Sequence, residues 1–409
     1  MSFLFFNSFA PQPAMKFRNC QKLSLALAVA CALLSATVKS ASASTFSYTV
    51  TDLGKFPGGS YSDAYGLNDL GQVVGGAELP KASPIGSGSH AFDYNGGALF
   101  DLGTLPGDNY SGASAINNNG QIVGTSSPSS GGNHAFIYSD GALQNLGTLP
   151  SGSYSIANSI NDQGQVVGSA NTAPGANSIY GDNHAVLYGG TGFQDLGTLP
   201  GKKFSDAYSI NNSSQVVGGS YTTGGDEHAF LYTGGALSDL GTLGGNSSVA
   251  RGINNKSQVV GSSQTADDKS VHAFIDNNGN LSDLGTLGGN ESSAYGINDL
   301  GQIVGQSATS AGSEHAFLYR DGDLIDLNSL IPADSGWTLQ NAYAINKDGQ
   351  IVGTGVIDGE THAFLATDPP ATAVPEPDSV WGTLVLSVLG MGAWLKRRKR
   401  ERITGISAS

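Results

Sequence analysis

All seven histidines of the chain occupy one context. His90, His134, His184, His228, His272, His315 and His362 are each followed by Ala and then Phe, with Val186 the one departure. Imidazoles are metal ligands and acid–base groups, so their spacing decides which chemistry is open to them. The intervals are 44, 50, 44, 44, 43 and 47 residues. An enzyme site is asymmetric, whereas a group repeated at a near-constant interval serves something that every repeat needs. The histidines are therefore expected to hydrogen-bond neighbouring strands rather than to gather around a metal. A second set of candidates varies from copy to copy: Tyr61, Tyr110, Tyr154 and Phe204, with Trp337 two residues off their register and Asp63, Asp108 and Asp206 nearby. Flat exposed rings stack on sugars while carboxylates accept hydroxyl hydrogen bonds. Two such carboxylates facing each other would instead serve glycoside hydrolysis. The alternative is that each ring caps the outer core of its own repeat.

The elements that position these residues come from internal repetition. Beside the His-Ala-Phe triplet runs an Ile/Leu-Asn pair ending at Asn68, Asn117, Asn161, Asn211, Asn254, Asn298 and Asn346, followed by Gln-Val-Val-Gly or Gln-Ile-Val-Gly. An Asp-Leu-Gly element or a near relative recurs at Asp52, Asp101, Asn145, Asp195, Asp239, Asp283 and Asp326. Each unit of about 46 residues reads as four short antiparallel strands separated by Asn/Gly turns, with no helical period. A four-stranded sheet leaves both faces uncovered, and radial stacking of such repeats covers them. The expected fold is all-β, a seven-bladed β-propeller over residues 44–369. The seventh copy lacks a fourth strand and residues 47–54 resemble one, so the amino-terminal strand is expected to complete the last blade and close the ring. Copies one and three carry longer connections, 15 and 16 residues from Gly75 to His90 and from Gly168 to His184, against 9 to 11 elsewhere.

Composition narrows the function. The chain has 409 residues, 33 acidic and 19 basic, and residues 44–377 hold 31 acidic against 9 basic, a formal net charge of −22. That excludes a basic nucleic-acid binder. Both cysteines, Cys20 and Cys31, precede residue 44, so the body has no disulfide and no thiolate ligand. No cofactor is expected: Asp/Asn-rich turns such as 298–301 and 346–349 offer oxygen ligands that calcium could use, but they lack the spacing of a dedicated calcium loop, and turn chemistry alone accounts for them. No nucleophile elbow, HExxH, phosphate loop or dinucleotide fingerprint is present.

The two ends read as address labels. Lys16, Arg18 and Lys22 precede an apolar run over 23–38 and the small-residue site Ala41-Ser42-Ala43, the order of a secretory signal peptide over 1–43, with Met15 a second candidate start. A retained anchor helix is the alternative. After a short linker, 370–373, Val374-Pro375-Glu376-Pro377 is followed by an apolar stretch over 380–395, a basic cluster over 396–400 and a tail, 401–409, placed in the cytoplasm by that cluster. The stretch is shorter than the roughly 20 residues of an ordinary span. This order resembles the PEP-CTERM sorting signal of Gram-negative bacteria, and the repeats over 46–366 resemble the extracellular HAF-repeat family. The first resemblance implies recognition near Pro375, Glu376 and Pro377 by an exosortase-type enzyme and delivery to the cell surface or extracellular matrix. A plain carboxy-terminal anchor is its alternative. The second implies an extracellular repeat protein and supplies no catalytic residues. The expected role is a binding or structural module for extracellular polysaccharide; a protein scaffold is second and a polysaccharide hydrolase or lyase third.

Overall fold

The computed structural model describes residues 47–80, 88–173, 182–266 and 269–368. The expected signal peptide, linker and sorting segment, with Pro375, Glu376 and Pro377, lie outside them, as do the middles of the two long connections. The described chain is all-β: 28 strands, numbered β1 to β28 in chain order, and one 3-10 turn, Leu327–Leu330. No helix among these residues is long and apolar enough to cross a membrane.

The strands associate in fours. In the first group β2 (Ser62–Leu67), β3 (Val73–Glu78), β4 (Ser89–Asn95) and β5 (Ala98–Gly103) pair in sequence order, each antiparallel to the next. The same arrangement follows from β6 (Tyr110–Ile116), β10 (Ser155–Ile160), β14 (Gly201–Ile210), β18 (Gly244–Ile253) and β22 (Gly288–Ile297). A single parallel pair, Val271↔Glu291, joins the two groups begun by β18 and β22. The last sheet contains β26 (Thr338–Ile345), β27 (Ile351–Ile357) and β28 (Glu360–Thr367), and its fourth member is β1 (Thr49–Gly54), paired antiparallel with β28 from Thr49↔Thr367 onward.

The core lies between successive sheets. In the His-Ala-Phe strand the Ala faces the following sheet and the Phe the preceding one: Ala91 packs with Ala113, Ile122 and Phe136, while Phe92 packs with Val352 and Ala363. The latter cluster joins the last group to the first. A strand clasped on both faces must be apolar throughout, which is why this strand does not alternate. Burying each such phenylalanine contributes about 2–3 kcal/mol. The glycine ending Gln-Val-Val-Gly has a steric cause: a Cβ at Gly218 would collide with the carbonyl oxygen of Asp206 and the ring of Phe230. Between sheets, buried serines act as clamps: Ser111 Oγ donates to Gly103 O at 2.6 Å and accepts from Ala91 N at 2.9 Å.

Candidate functional site

The first strands of the seven repeats, β2, β6, β10, β14, β18, β22 and β26, surround a common channel, each contributing equivalent residues at three successive levels. At one end the level of the repeated Asn is locked. Asn68 Oδ1 accepts from Leu70 N and Gln72 N at 3.0 Å, and its Nδ2 donates to Gln72 Oε1 and onward to Asn117 O at 3.2 Å. The same outward bond runs from Asn117 to Asn161, to Asn211, to Asn254, to Asn298, to Asn346 and from Asn346 back to Asn68. Each of these side chains is buried, with 3% to 6% exposure. One residue further on, Asp69 N donates to Asn118 Oδ1 and the pattern continues through Asp162, Asn212, Asn255 and Asp299. Lys347 carries no acceptor and interrupts it; its own N–H donates to Asp69 Oδ1 at 3.1 Å. Of the carboxylates in the two turns that could offer calcium ligands, Asp299 accepts from Asn255 and Asp348 is paired with Lys347. Among the described residues, no group of three or more His, Cys, Asp or Glu gathers to hold a metal.

The opposite end is varied. The position three before each Asn reads Tyr65, Ser114, Asn158, Tyr208, Arg251, Tyr295 and Tyr343, and these seven line a cavity of about 450 Å³, within the range of small-molecule sites. Five form a continuous arc of flat groups. The Arg251 guanidinium lies 4.9 Å from the Tyr208 ring and 6.0 Å from the Tyr295 ring. Tyr295 and Tyr343 rings are 5.4 Å apart, and Tyr343 and Tyr65 5.1 Å. The remaining sector holds only Ser114 and Asn158, whose amide donates to Ala207 O at 2.8 Å. Burial pushes the Tyr343 phenol up to about 12, and raises Tyr65, Tyr208 and Tyr295 as well.

Carboxyl groups flank both arms of the arc. Asp63, near Tyr65, accepts from Thr354 Oγ1 at 2.9 Å. Burial raises its pKa, and the hydrogen bonds from Thr354 and Tyr65 oppose that rise. Asp206 and Glu227 accompany Tyr208 and Arg251. Burial raises both, and the Arg251 charge works against the increase.

The aromatics singled out from sequence do not gather. Tyr61 is half-buried and bridges Thr361 through its main chain. Tyr110 packs its ring against Gly88, Phe204 meets Tyr221 edge-on at 5.3 Å, and Tyr154 is paired with Asn133. Trp337 packs into the core, 6.2 Å from Phe364. No ring contact joins any two of these five among the described residues. Asp63 and Asp206 lie beside the cavity tyrosines Tyr65 and Tyr208 without lining the cavity themselves, and Asp108 is engaged elsewhere. Its side chain is 5% exposed and bonded to His134 at 3.2 Å.

That bond explains an irregularity among the histidines. Six of them place Nδ1 against the Asp of their own Asp-Leu-Gly element or, for His362, against Asp52 of β1, at 2.7 to 3.0 Å. The same Asp typically accepts from the N–H two residues on, as Asp101 does from Gly103 at 2.7 Å. In the second copy Asn145 keeps the turn, accepting from Gly147 N, and His134 turns to Asp108 instead. The cavity itself escaped the sequence reading, although its signal was present: a column reading Tyr, Ser, Asn, Tyr, Arg, Tyr, Tyr beside an invariant Asn.

No protein-family model and no curated protein sequence matches the chain. Solved structures do. A puromycin-hydrolyzing peptidase of Mycobacterium tuberculosis is 12% identical with a TM-score of 0.51, the match covering 76% of this chain and 50% of that one. The β-propeller domain of the Trilobed protease of Pyrococcus furiosus is 8% identical, TM-score 0.46, over 76% and 96%. An acylaminoacyl peptidase of Pyrococcus horikoshii is 10% identical, TM-score 0.44, over 74% and 52%. The chain spans about half the length of the two peptidases. At such identities the likeness concerns fold alone; the succession of four-stranded sheets, the last packed against the first, is itself the arrangement of a β-propeller.

Proposed function

We propose that the chain is an exported, seven-bladed β-propeller whose ring is closed by β1, and that it binds extracellular polysaccharide without cleaving it. The tyrosine arc carries this reading. Adjacent, mutually tilted phenols offer apolar ring faces to a sugar, and the small polar residues Ser114 and Asn158 in the same lining supply partners for its hydroxyls. The return of the Asn hydrogen bonds from Asn346 to Asn68 supports the ring. The likeness of the repeats to the HAF family, and of the ends to a signal peptide and a PEP-CTERM tail, supports export. Sorting by an exosortase-type enzyme to the surface or matrix of a Gram-negative cell then follows from the tail.

The test incubates the exported protein with the host's extracellular polysaccharide, with and without calcium, recording co-sedimentation and polymer length. Binding at unchanged length that is lost in a Tyr65→Ala/Tyr343→Ala variant is the expected result. Asp63 beside Tyr65 and Asp206 beside Tyr208 are the carboxyls on which a hydrolase, the second reading, would rest. Shortened polymer would establish it, and no association in either condition would leave a protein scaffold in its place.

A further inference from the structure

Within that reading, and resting on it, we propose that the cavity selects a sugar bearing a carboxylate, a hexuronate, and that Arg251 is the residue that receives it. Of the seven equivalent positions around the cavity only this one carries a cation. Its guanidinium lies over the Tyr208 ring at 4.9 Å and within 6.0 Å of the Tyr295 ring. Such cation–π contacts use none of the guanidinium N–H groups, which keep the fork that matches a carboxylate through two parallel hydrogen bonds. Arg251 is exposed and forms no hydrogen bond or ion pair within 4 Å among the described residues. The cation at the far end of the channel behaves differently, since Lys347 is paired with Asp348 at 2.6 Å.

The neighbours of Arg251 do not replace such a ligand. Asp206 and Glu227 feel its charge, yet neither reaches ion-pair distance, and burial disfavours their charged forms. Hydroxyl-only sugars would find partners at Ser114 and Asn158 and apolar faces at Tyr65 and Tyr343, but they would leave the fork unmatched. A neutral sugar gains nothing from the fork, whereas a carboxylate gains two charge-assisted hydrogen bonds, so an acidic sugar is favoured over a neutral one. The rest of the body is strongly acidic, so preference for an anion has to come from this contact rather than from the long-range field.

Calorimetric titration of the full chain with trigalacturonate and with its methyl ester separates these effects, because the ester keeps the sugar rings and linkages but removes the negative charge. The acid is expected to bind at least tenfold more tightly than the ester, and Arg251→Gln to bring that ratio to about one. Arg251→Lys, which keeps charge but loses the planar fork, should give an intermediate ratio, and the thermal midpoint of each variant reports whether it folds. Equal binding of acid and ester by the parent protein, or an undiminished preference in a folded Arg251→Gln variant, overturns the proposal while sugar binding stands. Failure of every sugar, the host polymer included, overturns both readings.

Discussion

The two ends of the channel use the same seven strands for opposite purposes. At the Asn level every copy carries the same side chain, each satisfied locally and bonded to the next copy, and only Lys347 breaks the outer circuit. At the tyrosine level, one turn of alternation away on the same strands, four residue types stand at seven equivalent places. Constancy at one level holds neighbouring sheets at a fixed separation. Variation at the other is tolerated because those side chains project into the cavity and, apart from Asn158 with its bond to Ala207 O, do not tie one copy to the next. A repeat protein can therefore specialise one end of its axis without endangering its assembly.

Three measurements would break or sharpen this contrast. The largest effect is expected at the locked end. Asn211→Ala removes bonds to Gln215 Oε1 and Asn254 O and leaves the Ser213 and Gln215 amides without their acceptor. The cost is about 3–5 kcal/mol in urea denaturation, and a loss below about 1 kcal/mol would refute the structural role. At the varied end, Asp206→Asn should raise stability. Asp206 is held above its ordinary pKa by burial, so its ionised form costs stability above the folded pKa, and that cost fades as the pH falls through it. The variant's thermal midpoint should exceed the parent's at pH 7 and match it at about pH 4 and below; an advantage that grows on acidification would reverse the assignment. The smallest effect concerns the exception among the constant residues. Asn145→Asp offers His134 the partner its six counterparts use, and a gain of up to about 1 kcal/mol is expected. A destabilised variant would mean that Asp108 is the better partner.

Much of the fold was legible because its signals are local. The hairpin at Asn117-Asn118-Asn119-Gly120 follows from turn chemistry, and Gly120 adopts φ +76° there. The strand nature of His134–Ser139, and of the residues before Gly54 that pair with β28, follows from likeness between copies. What faces the channel was not legible. Alternation along β2 separates Tyr61, Asp63 and Tyr65 from Ser62 and Ala64, yet it cannot say which members of a face reach the axis and which stay at its rim. Tyr61 stood out for its place beside the loop, whereas the structure places Tyr65 in the cavity. Asp108 was misjudged for a related reason: its role depends on His134, 26 residues away, and on Asn145 having no charge to offer that histidine. Such compensations exist only once the sheets are assembled.

The placement of β1 has a mechanical consequence. The described chain starts beside β28 and ends with it, so both chain ends leave from a single sheet. A load applied to the chain beyond Thr367 enters through β28, which is held by hydrogen bonds on both sides, to β27 and to β1. To extract it, both ladders must fail, and the amino-terminal segment acts as a latch on the carboxy-terminal one. Cutting the chain between β1 and β2 would leave every strand present but free this latch, and resistance to pulling would fall well before ordinary thermal stability does.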